Sequence, residues 1–399
     1  DLENIFILAA TTGRTLVMPP AVPVYLLNHD AKEKHKGFAD FYNLQSKEFQ
    51  DRVKIISMEE FVKREGGEDG QFTIDDDMRD DVMASAKECD KMKKSDISCD
   101  HIWDYLETKA FVPQFNSTTC LVFDEEMFEH GSIATEAEEK SKKFCGEKRK
   151  PYYITEALQE EPVIHIKNQK GWRIMCHYYG YMYFTNTAIF NYYKRFVRDF
   201  MRYHDEIYCA AGKIVLALQE EGKKLGFTLD AEGGGGFSSM HVRRGDLQYK
   251  KVKISAEEWY ANLKDTWQEN EIIYIATDER NKTFFDPIKK HNEIKFLDDY
   301  WDYANLGALD GNYMGMIDTI VASRGRTFGG TFFSTFSGYI NRMRGYHGMS
   351  MKDSYYGFLE KKESTHEWLD HYDGCTFSRE WPNGWIGIDG DVDPSHDMF

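Results

Sequence analysis

A parallel α/β architecture in two halves is what this sequence predicts, on three observations. Short apolar runs of strand character alternate with segments of helical periodicity, most cleanly after residue 236. Three of these runs are followed by polar residues suited to a ligand: His241 and Arg243, Thr277 and Asp278, Ser334 and Thr335. A tetraglycine, Gly233 to Gly236, separates the halves. Strands alternating with helices imply a doubly wound parallel sheet, whose ligand sits at the carboxyl ends of the strands.

In chain order, residues 2–12 are apolar at helical spacing, and Gly13 ends that helix as a C-cap glycine does. Arg14 to Pro20 reads as a short buried strand stopped by two prolines, and Val53 to Ile56 as a second strand. Ser57 and Glu60 make a capping box opening a helix through Phe61. Between about residues 64 and 150 the composition changes. Asp75 to Asp77, Asp80, Asp81 and the lysine- and glutamate-rich stretches read as solvated loops and surface helices of an insertion, with Thr119 to Phe123 compatible with a strand. Pro162 to Ile166 and Trp172 to Met175 read as strands, and Phe190 to Glu221 is helix-compatible, with apolar residues three and four apart.

The tetraglycine is followed by a strand instead of a helix, so it reads as a hinge or linker and not as a phosphate-cradling loop. Beyond it come helix Glu257 to Trp267, strand Ile272 to Ala276, strand Ile294 to Leu297 and helix Asn312 to Ser323. Strand Arg326 to Thr331 and a helix from Ser334 to Arg344 complete the series. Trp368, Trp381 and Trp385 near the end either line a sugar groove or pack onto the body. Asp389, Asp391 and Asp393 alternate, but the rest of a calcium-loop motif is missing. The expected domains are residues 1–232 with an insertion at about 64–150, residues 237–350, and an extension at 351–399.

Composition narrows the function. A net charge of −17 argues against nucleic acid or anionic membrane as the main partner. No apolar run approaches the length of a membrane span. The chain opens on Asp1 with no initiator Met and no basic leader, so it reads as a fragment; any targeting signal or membrane anchor would lie in the missing N-terminal part. None of the seven cysteines shows paired metal-ligand spacing. Cys89, Cys99, Cys120 and Cys145 sit in polar sequence, where disulfides formed in a secretory lumen are expected. The sequons Asn116-Ser117-Thr118 and Asn281-Lys282-Thr283 point the same way, to the ER or Golgi lumen.

The stretch from Phe237 to Asp246 holds the densest chemistry. Two-residue periodicity puts His241 and Arg243 on one side of the strand end, with Val242 and Arg244 on the other. A guanidinium fork matches two phosphate oxygens, which suits a diphosphate; an edge strand ending in solvated charges is the other reading. Ser334 and Thr335 open a helix, where free N–H groups and hydroxyls suit the same guest, and where ordinary N-capping can hold at once. Asp318 lies inside a helix. It is either solvated or reaches a ligand base with N–H donors, such as guanine.

With these residues in view, the chain resembles the O-fucosyltransferase family, a branch of the fucosyltransferase superfamily with the GT-B fold, two Rossmann-like domains facing a cleft. The matching pieces are Gly13 to Pro20, His241 to Asp246, Ile275 to Asp278 and, most specifically, Met316 to Gly345. The resemblance implies that Arg243 holds the β-phosphate of the donor, with His241 beside the nucleotide and Asp318 on guanine. It also implies that Ser334, Thr335 and Phe336 hold the diphosphate, with Asp246 and Asp278 near the donor; Arg244 joins the expected donor-binding residues as the second charge of the local arginine pair. The implied reaction moves L-fucose from GDP-fucose to a hydroxyl of a protein or glycan acceptor, with inversion, no cofactor and no essential metal. The family's Gly-rich loop, with the Asn or Glu proposed to act on the acceptor, precedes position 1, so no general base is named. A related transferase using another nucleotide sugar, such as rhamnose, and an inactive nucleotide-sugar-binding or lectin-like protein are the alternatives. Arg244-Gly245-Asp246 as an adhesion tripeptide needs an exposed loop tip, whereas here it follows a buried-looking strand.

Overall fold

Parallel strands organise both halves of the chain in the computed structural model, which describes residues 2–23, 35–90, 95–116, 118–146, 149–167, 182–229, 234–245 and 250–366. Two compact units result, Asp1–Tyr203 and His204–Phe399.

In the first unit, helix Leu2–Thr11 ends at Gly13, whose φ of +64° is the left-handed conformation that glycine adopts without strain. Strand Leu16–Met18 pairs in parallel with Ile55–Ser57. The Ser57 hydroxyl then accepts the Glu60 N–H at 3.0 Å to start helix Met58–Glu65. A second sheet has the parallel order Lys150–Tyr153, Thr119–Phe123, Met182–Phe184. Its middle strand is buried at every position, as a strand flanked on both edges must be.

The expected insertion is therefore corrected. Residues 64–150 supply that central strand, and Phe72, Ile74, Val82, Ile102 and Leu106 share one core with Met58, Phe61 and Val62. The acidic run does lie exposed at Asp75 to Asp77. Its charges masked the alternating apolar residues that pack beneath them. Disulfides join Cys89 to Cys99 and Cys120 to Cys145 across separations of 10 and 25 residues. Each removes chain entropy from the unfolded state, on the order of 3 kcal/mol. Pro162 to Ile166 is not a strand; Ile164 makes only an isolated bridge with Phe111. Trp172 to Met175 lies outside the described residues.

The expected helix from Phe190 to Glu221 is two helices, Thr187–Phe200 and Asp205–Lys224, because Asp205 and Glu206 open a fresh N-terminus. The second of them belongs to the second unit, so the boundary precedes the tetraglycine instead of coinciding with it. The described glycines of that run are buried and closely packed. A Cβ on Gly222 would lie 1.8 Å from the Gly236 carbonyl oxygen, and Gly236 itself has φ +76°. The glycines let the incoming chain press against the helix.

The second unit's sheet is wholly parallel, in the order Ile294–Lys295, Ile273–Thr277, Ser238–Val242, Phe328–Gly330, Ser354–Tyr356. From its central strand Ser238–Val242 the chain builds outward on one side through residue 295. It then returns to build the other side from residue 328. That reversal leaves a crevice at the carboxyl ends of the two strands where the windings part. Met240, Val242, Ile273 and Ile275 face a core with Trp259, Leu263 and Phe285. Ser239 and His241 face the other way, the Ser239 hydroxyl donating to the Ala322 carbonyl at 2.6 Å. The edge strand Ser354–Tyr356 was not foreseen in the sequence, which set everything after 350 apart. Arg344 anchors it: the guanidinium, 1% exposed, donates to the Ser354 hydroxyl at 2.9 Å and to the carbonyls of Gly325, Arg326 and Asp353. Trp368, Trp381, Trp385 and the late aspartates lie outside the described residues.

Candidate functional site

The pleat separates the paired arginines as their spacing predicts, and gives them different work. Arg244 turns toward the Trp259 side. There its guanidinium bonds Glu279 at 2.9 Å and the Ile254 carbonyl at 3.2 Å, and lies 3.9 Å from the Phe284 ring centroid. These contacts engage its charge within the fold. Arg243 is half-buried, and its Nε is enclosed with no hydrogen-bond partner. Among the described residues no carboxylate pairs with it.

Around Arg243 the backbone is held tightly. Its own N–H donates to the Thr331 hydroxyl at 3.0 Å, and that hydroxyl donates to the His241 carbonyl at 2.7 Å. Thr331 therefore stitches the ends of the two diverging strands together. On the opposite flank Asp278 accepts the N–H groups of Arg244 at 2.7 Å and Gly245 at 3.0 Å. Both carboxylate oxygens are engaged in closing the turn, so Asp278 shapes the site through the backbone. A Cβ on Gly245 would sit 2.6 Å from an Asp278 oxygen, which is the physical reason for glycine there. Asp246 lies outside the described residues.

Across the crevice, helix Thr335–Tyr346 begins after Phe333, which holds φ +61°. A bulky side chain in that region is strained by roughly 1–3 kcal/mol. Ser334 follows at the N-cap position, yet its hydroxyl makes no capping bond and has no partner, although the residue is only 4% exposed. Ordinary N-capping, the bland reading of Ser334, is thus set aside by the geometry. Buried polar groups without partners cost about 1–3 kcal/mol each, and here two such groups, Arg243 Nε and Ser334 Oγ, each lie one hydrogen bond from Thr331: the Arg243 N–H donates to its hydroxyl, and the Ser334 N–H to its carbonyl at 3.3 Å. Thr335 is exposed on the first turn of the helix. Phe336 stacks on His241, ring centroids 4.4 Å apart.

His241 is 5% exposed, with Nδ1 2.8 Å from the Ser337 hydroxyl oxygen. Burial and then the neighbouring Arg243 charge push its pKa down to about 3, so the ring is neutral. Asp318, on helix Met314–Ser323, accepts the Tyr274 hydroxyl at 2.5 Å. Burial drives its carboxyl up to about 7, against the Tyr274 hydrogen bond that lowers it. Tyr274 went unremarked in the sequence, as did Thr331 and Ser337. A signal for Tyr274 existed: a tyrosine in an otherwise apolar strand needs a partner for its hydroxyl.

The site therefore offers an unpaired guanidinium, an unpaired hydroxyl at a helix N-terminus, a neutral imidazole and a half-buried carboxylate with one oxygen uncommitted among the described residues. Comparison with solved structures finds a crystal structure of POFUT1 in complex with GDP-fucose, 11% identical and with a TM-score of 0.36, matched over 89% of this chain and 92% of that one. A second crystal form of that complex gives 11% identity and a TM-score of 0.37, over 89% of this chain and 93% of that one. No curated protein matches the chain by sequence. Residues 1–347 match the sequence model of the GDP-fucose protein O-fucosyltransferases. The chain belongs to the GDP-fucose protein O-fucosyltransferase family.

Proposed function

We propose that this chain transfers L-fucose from GDP-fucose to a hydroxyl of a protein or glycan, with inversion at the anomeric carbon, and that its second unit holds the donor. The observation that carries the reading is the pair of unpartnered groups, Arg243 Nε and Ser334 Oγ, at the switch point of a parallel sheet. In a chain of net charge −17 an unpaired half-buried arginine is a local exception, and a diphosphate satisfies it. As the acceptor hydroxyl oxygen attacks the anomeric carbon, the bond to the β-phosphate oxygen breaks, its electrons pass to the diphosphate, and the hydroxyl proton is released to solvent. Arg243 and the N–H groups that open helix Thr335–Tyr346 meet that growing charge, so the step needs no metal on this reading. Asp318 is assigned to the guanine N–H groups. The two disulfides, and Asn116 and Asn281 standing exposed in their sequons, support a place in the ER or Golgi lumen. Among the described residues no helix is long and apolar enough to cross a membrane.

Thermal denaturation with nucleotides tests the donor assignment. GDP at about 100 times its Kd should stabilise the chain by roughly 2.7 kcal/mol, and UDP at the same concentration should not. Stabilisation by UDP instead would redirect the assignment to another nucleotide sugar.

Asp318 provides a pH-dependent test. Its folded-state pKa, about 7, lies above that of an ordinary carboxylate, so the stability it contributes is complete below about pH 4 and is lost as pH rises through 7. Asp318→Asn should therefore raise stability at pH 8 by roughly 1–2 kcal/mol, discounted because the residue keeps partial exposure. The same change should have little effect at pH 4. Because guanine offers donors, wild-type GDP affinity should climb as pH rises from 6 to 8, and the Asn variant should lose that slope. A GDP affinity flat in pH for the wild type would remove Asp318 from the base contact.

A further inference from the structure

Ser337 is wholly buried, and its hydroxyl has two neighbours. The Thr331 N–H donates to its oxygen at 2.8 Å, and the His241 Nδ1 lies 2.8 Å from it. The hydroxyl proton therefore needs an acceptor. Other buried hydroxyls nearby give theirs to helix carbonyls, as Ser323 does to Ile320 at 2.7 Å and Thr319 to Met316 at 2.6 Å. Ser337 makes no such bond, which leaves His241 Nδ1 as the acceptor within reach among the described residues. A neutral imidazole that accepts at Nδ1 must carry its proton on Nε2.

We propose that Ser337 is a positioning residue that locks His241 in the Nε2–H tautomer, so that the site presents a fixed, uncharged N–H donor beside Arg243. The relay runs from the Thr331 N–H to the Ser337 hydroxyl to His241 Nδ1, and ends at Nε2–H. Phe336, stacked on the ring, holds its plane, so the donor is fixed in direction as well as in identity. Its guest is an oxygen acceptor of the bound nucleotide sugar, a diphosphate or sugar oxygen. A second cation there would repel Arg243, and a bare ring nitrogen would face oxygen lone pairs; the relay excludes both. The inference rests on the donor reading above for the identity of the guest, but not for the tautomer.

Two measurements separate these parts. Nitrogen NMR of the histidine rings in the full chain should show Nδ1 bare and Nε2 protonated for His241, and Ser337→Ala should turn that resonance into a tautomer mixture. In parallel, GDP affinity is measured for a double-mutant cycle with His241→Gln, which keeps an N–H donor near Nε2 but has no tautomers. Ser337→Ala should weaken GDP about 10-fold in the His241 background, the scale of one hydrogen bond. In the His241→Gln background the further loss should be under about twofold. Equal losses in both backgrounds would make Ser337 merely structural, and a wild-type His241 protonated on Nδ1 overturns the proposal outright. Failure of the wild type to bind GDP would sink the donor reading alone, since the NMR result still decides the tautomer.

Discussion

Arg243→Ala should lower kcat/KM for fucosyl transfer from GDP-fucose by about 100- to 1,000-fold, the usual cost of removing one preorganised stabiliser of transition-state charge. Its melting temperature should not fall, because among the described residues the guanidinium has no ion-pair partner and its Nε no hydrogen bond to lose. Stabilisation by GDP should vanish with the activity. Arg243→Lys should recover only part of it, since an ammonium supplies charge without the two-pronged geometry. Arg244→Ala provides the contrast. It breaks the contacts to Glu279, the Ile254 carbonyl and the Phe284 ring, so its first effect is a lower melting temperature. Transfer by Arg243→Ala within about threefold of wild type would falsify the assignment of Arg243 to the leaving diphosphate.

Glu271→Ala should destabilise the second unit by about 3 kcal/mol, the low end for breaking a buried ion pair, because Glu271 is buried but Arg326 is part-exposed. Glu271 is 1% exposed, and every contact it makes is filled. Arg326 donates from Nε at 2.9 Å and from a terminal nitrogen at 2.6 Å, the Ser238 hydroxyl at 2.8 Å and the Gln268 N–H at 2.8 Å. Removing the carboxylate leaves the part-exposed Arg326 guanidinium with the Thr266 carbonyl at 3.0 Å, and takes the acceptor from the Ser238 hydroxyl and the Gln268 N–H where two strands enter the sheet. At roughly 2–4 °C per kcal/mol the melting temperature falls by about 10 °C. Replacing Glu271 and Arg326 together with methionine should recover most of that loss, because the pair repays little beyond its own desolvation. Ser238 opens the central strand, at the end opposite the nucleotide crevice, so GDP binding per folded molecule should not change. A loss below 1 kcal/mol on calorimetry would show that water, and not Glu271, balances Arg326.

Strand and helix periodicity carried the second unit well. The strand at Ile273–Thr277 and the helices at Met314–Ser323 and Thr335–Tyr346 fall within a few residues of where the pattern put them. Those segments are buried on defined faces, and burial is what writes periodicity into a sequence. The region around Phe72 to Leu106 failed for the converse reason. Its helices do bury residues at helical spacing, Val82 with Ala86 and Ile102 with Tyr105 and Leu106, but the charged residues set between them dominate the composition. The edge strand Ser354–Tyr356 was invisible because three residues make no pattern, and its place depends on Arg344, brought to it by the fold.

The sequence by itself determined the family and offered the residues of the candidate crevice. Arg243, Asp318 and Ser334 stood out by residue type and by their places at a strand end, inside a helix and at a helix start, each with a solvated or capping role as its plain alternative. Tertiary structure decided how the work is divided. Neighbouring arginines are equal as letters, but the pleat turns Arg244 onto Glu279 and leaves Arg243 unpaired. Asp278 turned out to hold backbone, and Ser334 to cap nothing. Thr331, Ser337 and Tyr274 gained their roles only when strands distant in the chain met. Which polar group is satisfied and which is left for a ligand depends on what lies within hydrogen-bond reach, and that is a property of three dimensions.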